Sequence, residues 1–466
     1  MASDNSVQVS SGHDQTVKAW QLPNVRLFIL FRVLFNARFY YPVFTILFLD
    51  YGLSLEQFAL LNTVWAVTIV VAEVPSGALA DLLGRKQLLV ATALLMVAEM
   101  ALIAFVPLGQ AHWVFFAFLV NRVLSGLAEA MASGADEALA YDSLVAHGLA
   151  EQWPRVLEAQ MRAQNIGYIF AMTIGAAVYD PGLMNRVLDW CGVTAAITQQ
   201  QSMRFPLYLT LVFALMALVV TLRMQETGKD RASLGTEDHQ ATASGLIRLI
   251  LQAGGWIVRT PLALAVILFA MTYDHVLRMI VTLTSKYYRL IGLPEASFGL
   301  LGSLVAVVGL FVPRLARWMS ERFSLGTNAA ILGVAMIMML FALALFAPYW
   351  GVLPMVGVFV GLMLTSFFTS HSLNALTPSH QRATVLSFKG LAFNAAYGFI
   401  GLVFAGFMHH FRAGQQGLHP HWSAAMVEDQ AFRFAMGSLP WYLVIGLGLV
   451  SALCLPRLWR NRGGCG

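Results

Sequence analysis

Twelve runs of apolar residues, each long enough to cross a lipid bilayer, punctuate this 466-residue chain. They lie at about 24–49, 56–80, 87–108, 112–140, 161–180, 205–223, 261–285, 294–318, 327–347, 350–376, 383–408 and 432–454. A hydrocarbon core takes about 20 apolar residues as helix. Backbone amides in lipid have no water to satisfy them, so runs of this kind read as helices. A membrane barrel would show segments of alternating polarity instead. Composition agrees: 58% of residues are hydrophobic, 11% are charged and the mean hydropathy is +0.68. A soluble chain carries about 25% charged residues. A water-soluble enzyme, a disordered chain and a nucleic-acid binder of the usual kind are excluded.

The net charge of +5 follows from topology rather than from an acidic partner. With the N-terminus inside, 18 of the 29 lysines and arginines fall on the cytoplasmic side, 6 fall outside and 5 lie within helices. Basic residues favour the cytoplasmic face, so both termini are expected in the cytoplasm of a multi-pass protein of the cell (inner) membrane. The first twenty residues, MASDNSVQVSSGHDQTVKAW, have no apolar core and do not read as a cleavable signal peptide. Cys191, Cys454 and Cys465 are too few and too scattered for a disulfide framework.

The longest polar segment, from Arg223 to about Gly255, divides the chain in two. The expected organisation is a cytoplasmic tail (1–23), a six-helix bundle (24–223), a cytoplasmic linker (224–260), a second six-helix bundle (261–454) and a C-terminal tail (455–466). The halves repeat. At a constant offset of 240, Gly52, Leu53, Phe58, Leu60, Leu61, Ala66 and Val67 recur as Gly292, Leu293, Phe298, Leu300, Leu301, Ala306 and Val307. Apolar matches are cheap, but the same offset also pairs Arg38 with Arg278 and Asp81 with Glu321. Two parallel six-helix repeats form a transporter plan, with the solute site at the midplane between them.

Between the second and third runs the chain reads GALADLLGRKQLL from Gly77. Gly84 permits a tight turn, and Arg85 and Lys86 hold the loop on the cytoplasmic side. With Gly77, Asp81, Gly84, Arg85 and Lys86 all in place, this segment resembles the signature loop of the major facilitator superfamily. RVLSG at Arg122 resembles that family's second motif, an arginine followed four residues later by glycine. The helix-five antiporter motif of the family is absent, since Gly167 and Gly175 stand there without a proline. The resemblance implies an all-α integral membrane protein: twelve transmembrane helices in two pseudo-symmetric six-helix bundles around a central cavity. It implies gating by Gly77, Asp81, Gly84 and Arg85, with Asp142 at the end of helix four as the expected acidic partner.

Charges inside a bilayer are costly and are candidates for function. Arg122, Glu129 and Asp136 stand seven apart on helix four and share one face. They read either as a proton relay, in which Glu129 titrates and Arg122 tunes it, or as a salt-bridge seam that packs helices. Arg38 and Arg278 occupy equivalent places in the repeat, with Tyr41 beside the first and Asp274 one turn before the second. Two guanidiniums converging on one space suit a carboxylate or phosphate. Alternatively, Asp274 neutralises Arg278, and Arg38 pairs with Glu73 or Glu99. Lys389, inside helix eleven, either meets the same cavity or snorkels to the cytoplasm. His409, His410, His419 and His421 are irregularly spaced and do not support a metal site.

No nucleotide-binding loop, nucleophile elbow or metal motif is present in the sequence. The expectation is a monomeric secondary active transporter, not an enzyme, without cofactor or nucleic-acid partner. It would move a small solute, an organic anion or zwitterion, by alternating access coupled to protons. Arg38, Tyr41, Arg278 and Lys389 are the expected solute contacts, and Arg122, Glu129, Asp136 and Asp274 the expected proton-coupling groups. Multidrug efflux of amphipathic compounds is the alternative within transport, and a non-transporting membrane sensor or scaffold the alternative outside it.

Overall fold

The computed structural model describes residues 19–132, 135–194, 196–226, 254–377, 382–418 and 421–462. The tail up to residue 18, most of the expected linker and His419 lie outside the described residues. Among the described residues there is no strand. Among the same residues eleven helices are long and apolar enough to span a membrane, and a bent pair, Ala150–Tyr179 with Pro181–Trp190, makes a twelfth when taken as one span. The fifth span is that bent pair. Its second limb turns away by 82° at Asp180, whose carboxylate caps the new helix by accepting the Leu183 N–H at 3.0 Å.

The sequence repeat reappears in the backbone. The first span runs Pro23–Asn36, breaks, and resumes as Phe44–Asp50. The seventh runs Pro261–Thr282, breaks at Leu283, and resumes as Thr284–Leu290. The two short limbs are related by the same offset of 240 residues at both ends. Pro42 accounts for the first break, since it has no N–H for the ladder. In the seventh, the Thr282 hydroxyl bonds back to the Arg278 carbonyl at 2.8 Å and competes with the ladder. Each limb ends in a tight turn at a glycine with positive φ, Gly52 at 93° and Gly292 at 83°.

The halves meet along three seams. The second span (Leu55–Leu83) crosses the eleventh (Arg382–Leu418), where Thr63 donates its hydroxyl to the Gly398 carbonyl at 3.0 Å. The fifth (Trp153–Tyr179) crosses the start of the eighth (Ala296–Gly309), with the Thr173 and Ser303 hydroxyls 3.0 Å apart. Small residues let these backbones approach; a side chain at Gly299 would collide with the Met172 carbonyl. The short limbs of the first and seventh spans form the third seam. There Ser285 Oγ accepts the Thr45 N–H at 3.0 Å.

Candidate functional site

A cavity of about 300 Å³ lies between the halves and draws its lining from both. The first half contributes Tyr41, Asn62, Trp65, Arg122, Glu129 and Tyr168. The second contributes Arg278, Thr282, Ser285, Tyr288, Phe298 and Tyr397. The broken first and seventh spans put it there: at each break the chain turns and presents residues to the centre.

Arg122 is buried, at 4% exposure, in the fourth span (Ala111–Ala132). Its Nε and Nη2 both donate to Asn121 Oδ1, at 3.1 and 2.9 Å. Asn121 is itself anchored, its amide donating to the Glu99 carbonyl at 2.9 Å. The guanidinium also stands 5.3 Å from the Phe44 ring centroid and 5.4 Å from that of Phe48. Two of its five N–H groups are thereby used and three remain. Seven residues on, Glu129 is exposed to the cavity and forms no hydrogen bond or ion pair among the described residues.

Arg278 faces the cavity from the opposite half. Its Nη2 pairs with Asp274 at 2.5 Å, its Nη1 donates to Asn394 Oδ1 at 2.9 Å, and it sits 5.3 Å over Tyr397. Tyr397 in turn shares a 2.9 Å hydrogen bond with Thr282 and lies within electrostatic range of Arg122 as well as Arg278.

Most of the other expected residues are placed elsewhere. Arg38 is buried beside the cavity and bonded to Glu99, itself fully buried, so it does not reach the lining. Of the two partners foreseen for it, Glu99 is the one found. Asp136 is buried and forms a 2.8 Å ion pair with Arg32. That pair removes Asp136 from the open stripe that its spacing with Glu129 suggested. Lys389 is half-buried, 5.6 Å from the Phe393 ring, and does not line the cavity. Tyr41 does, with 44% of its surface exposed there.

At the end of the bundle that bears the termini, Gly84 turns the chain with φ at 95° and Arg85 pairs with Asp142. The surroundings of Gly77 and the side chain of Asp81 lie outside what the structure describes. Glu226, which sequence reasoning missed, caps the third span (Arg85–Phe105) by accepting the N–H groups of Arg85 and Lys86 at 3.1 and 2.9 Å.

The opposite, distal end carries the charges that join the halves. Arg289 forks onto Asp50, with both nitrogens at 2.8 Å, and its Nε donates to Glu295 at 2.8 Å. Burial holds the Glu295 carboxyl above its ordinary pKa, with the Arg289 charge opposing that rise. Tyr179 donates to the same Asp50. Asp180 accepts the Ala296 N–H at 3.1 Å. A second cluster sets Arg412 between Glu56 and Glu428, and Glu428 accepts the Leu55 N–H at 2.9 Å. Sequence reasoning did not single out either cluster. A signal existed, since Asp50 and Arg289 flank equivalent turns in the repeat.

The architecture is shared with solved transporters. A point mutant of the nucleoside transporter NupG superposes with a TM-score of 0.68 at 14% identity, covering 92% of this chain and 99% of that one. A D-xylose–proton symporter gives 0.64 at 14% identity over 91% and 96%. A point mutant of the peptide transporter POT gives 0.62 at 16% identity over 96% and 99%. At such identities the likeness is one of fold. No curated protein sequence matches the chain. The sequence profile of the Major Facilitator Superfamily matches residues 27–402. This multi-pass membrane protein, a secondary transporter by fold and not an enzyme, belongs to the major facilitator superfamily.

Proposed function

We propose that the chain moves a small organic anion or zwitterion across the cytoplasmic membrane by alternating access, coupled to protons. It acts as a monomer with both termini in the cytoplasm, so the distal end faces outward. The observation that carries this reading is the cavity between the halves, which sets Arg122 and Arg278 on opposite walls and leaves Glu129 open. The ion pairs and hydrogen bonds named at the distal end tie one half to the other, which supports a state closed outward. Glu129 is the preferred proton carrier: it is an acid in the cavity that forms no ion pair among the described residues. Asp274 is next, tied to Arg278 until a solute anion takes its place. The D-xylose–proton symporter of the same fold makes proton coupling compatible with this architecture.

Aromatic residues around the cavity, among them Tyr41, Phe44, Trp65 and Phe298, favour the efflux of amphipathic compounds as a second reading. One experiment separates the readings. Purified protein in proteoliposomes is given an imposed proton gradient and a panel of labelled anions, zwitterions and cationic drugs. Gradient-driven movement of an anion or zwitterion, lost in Glu129→Gln while exchange down the solute gradient persists, is the expected result. Movement of cationic drugs alone promotes the efflux reading. Movement of nothing promotes a sensor.

A further inference from the structure

Among the described residues that line the cavity, the charges without an ion-pair partner are one of each sign, and both stand on the fourth span. Arg278 is neutralised by Asp274 at 2.5 Å. Among the described residues Arg122 has no carboxylate partner; its hydrogen bonds go to the neutral Asn121. Glu129 has no cationic partner within ion-pair distance among the described residues. The two residues stand seven positions apart, so their backbones are separated by a rise of about 10 Å along the helix. An anion alone would satisfy Arg122 and be repelled by Glu129. A cation alone would do the reverse. A dipolar solute whose charges lie far apart satisfies both.

Resting on the transport reading above, we infer that the solute is a zwitterion whose anionic group docks on Arg122 and Arg278 and whose cationic group docks on Glu129. The anionic end is prepared. Asn121, fully buried and fixed to the Glu99 carbonyl, fixes the plane of the Arg122 fork. Three N–H groups of that fork remain to bind a carboxylate. Tyr397, within range of both guanidiniums, adds a hydroxyl at the same end. The cationic end is a carboxylate open to the cavity. Between the two ends, Tyr41 is in electrostatic range of both Arg122 and Glu129 and offers an aromatic surface to the body of the solute. Extended peptide chain covers about 3.5 Å per residue. The end charges of an extended tripeptide are therefore separated by a length comparable to the backbone spacing of Arg122 and Glu129, and those of a single α-amino acid by much less.

The test uses the full chain purified in detergent, with the tripeptide Ala-Phe-Ala as the probe and binding read by fluorescence of the tryptophans, of which Trp65 lines the cavity. The comparison set is the N-acetylated form, the C-terminal amide and free phenylalanine. The tripeptide should bind at least roughly tenfold tighter than any of the three, the size expected from one lost charge-assisted contact. Glu129→Gln should abolish the penalty for N-acetylation and leave the penalty for amidation. Arg122→Gln should reduce the penalty for amidation, with Arg278 still in place, and leave the penalty for N-acetylation, and Arg122→Lys should keep the penalty for amidation. If Arg122→Gln does not fold, Glu129→Gln still decides the cationic end. Blocked and free tripeptides binding alike, penalties unchanged in the variants, or no binding by any member of the set would overturn the inference. A protein that fails here yet takes up simple organic anions in proteoliposomes overturns the zwitterion and leaves the transport reading standing.

Discussion

The backbone N–H of Thr45 donates to the hydroxyl of Ser285, its own counterpart 240 residues along the chain, at 3.0 Å. The Ile46 N–H reaches the same hydroxyl at 3.3 Å, and the Thr45 hydroxyl donates to the Thr282 carbonyl. The broken limbs of the first and seventh spans thus meet at their equivalent points. The break in each span frees backbone groups, and at this point each half supplies what the other lacks. The contact lies at the cavity wall, which Ser285 also lines, so motion of one half against the other passes through it.

Arg289 is the strongest tie across the distal end, since it holds Asp50 by a fork and Glu295 as well. Arg289→Gln would leave two acids facing each other with 16% and 18% of their side chains exposed. Fully buried pairs cost about 3–5 kcal/mol when one partner is removed. With partial exposure the closed state should lose roughly 2 kcal/mol, about thirtyfold in population. Labelling of a cysteine placed at Tyr41 by a membrane-impermeant reagent added from the distal side should accelerate accordingly. Unchanged labelling would remove Arg289 from the latch.

Acid should favour the same closed state through Glu295. Burial raises its pKa in the closed arrangement, where Arg289, Asp50 and Asp180 are the charges nearest to it. Once the distal end opens, the carboxyl meets water and returns to the ordinary range. The closed form therefore binds the proton more tightly. Its stabilisation is present at low pH and is lost as pH rises through the closed-state value. Distal labelling of the Tyr41→Cys reporter should slow as pH falls from neutral, and Glu295→Gln should flatten that slope.

Gly299 sits where the eighth span crosses the fifth, and a Cβ there would overlap the Met172 carbonyl. The obstacle is backbone, so the crossing itself must widen. Gly299→Ala should raise distal labelling and cut transport several-fold, while Gly326→Ala, with open space around its Cβ position, should leave both unchanged. Equal behaviour of the two variants would show that the crossing is loose.

The fold was largely legible because each of its determinants is local in sequence. Apolar runs mark spans, the glycine and basic residues at 84–86 mark a loop, and the offset of 240 marks the duplication. The site was less so. Charges in lipid announce themselves one at a time, but their partners come from other helices: Glu99 lies 61 residues from Arg38 and Asp136 lies 104 from Arg32. Helical spacing placed Arg122, Glu129 and Asp136 on one face. It carried no sign that Arg32 would claim Asp136 or that Asn121 would hold Arg122. Residues without charge, such as Asn121, Tyr168 and Tyr288, gave no signal at all until the halves were brought together.

The two arginines that the repeat makes equivalent should behave oppositely. Arg38 and Glu99 form a pair with 3% and 0% of their side chains exposed, away from the lining. Arg278 faces the cavity with 28% of its side chain exposed, and its carboxylate partner sits one turn away. Arg38→Leu would strand a buried acid, so it should lower stability by about 3–5 kcal/mol. Replacing both, as Arg38→Leu with Glu99→Leu, should recover most of that loss, since apolar residues of similar volume often substitute for a buried pair without penalty. Arg278→Lys should leave stability nearly unchanged and weaken binding of an anionic group by about tenfold, because an ammonium cannot reproduce the fork. Thermal unfolding and ligand binding on the same preparations distinguish the two effects. Loss of binding in Arg38→Lys, with thermal stability intact, would return Arg38 to the solute site and require that it leave Glu99 during transport.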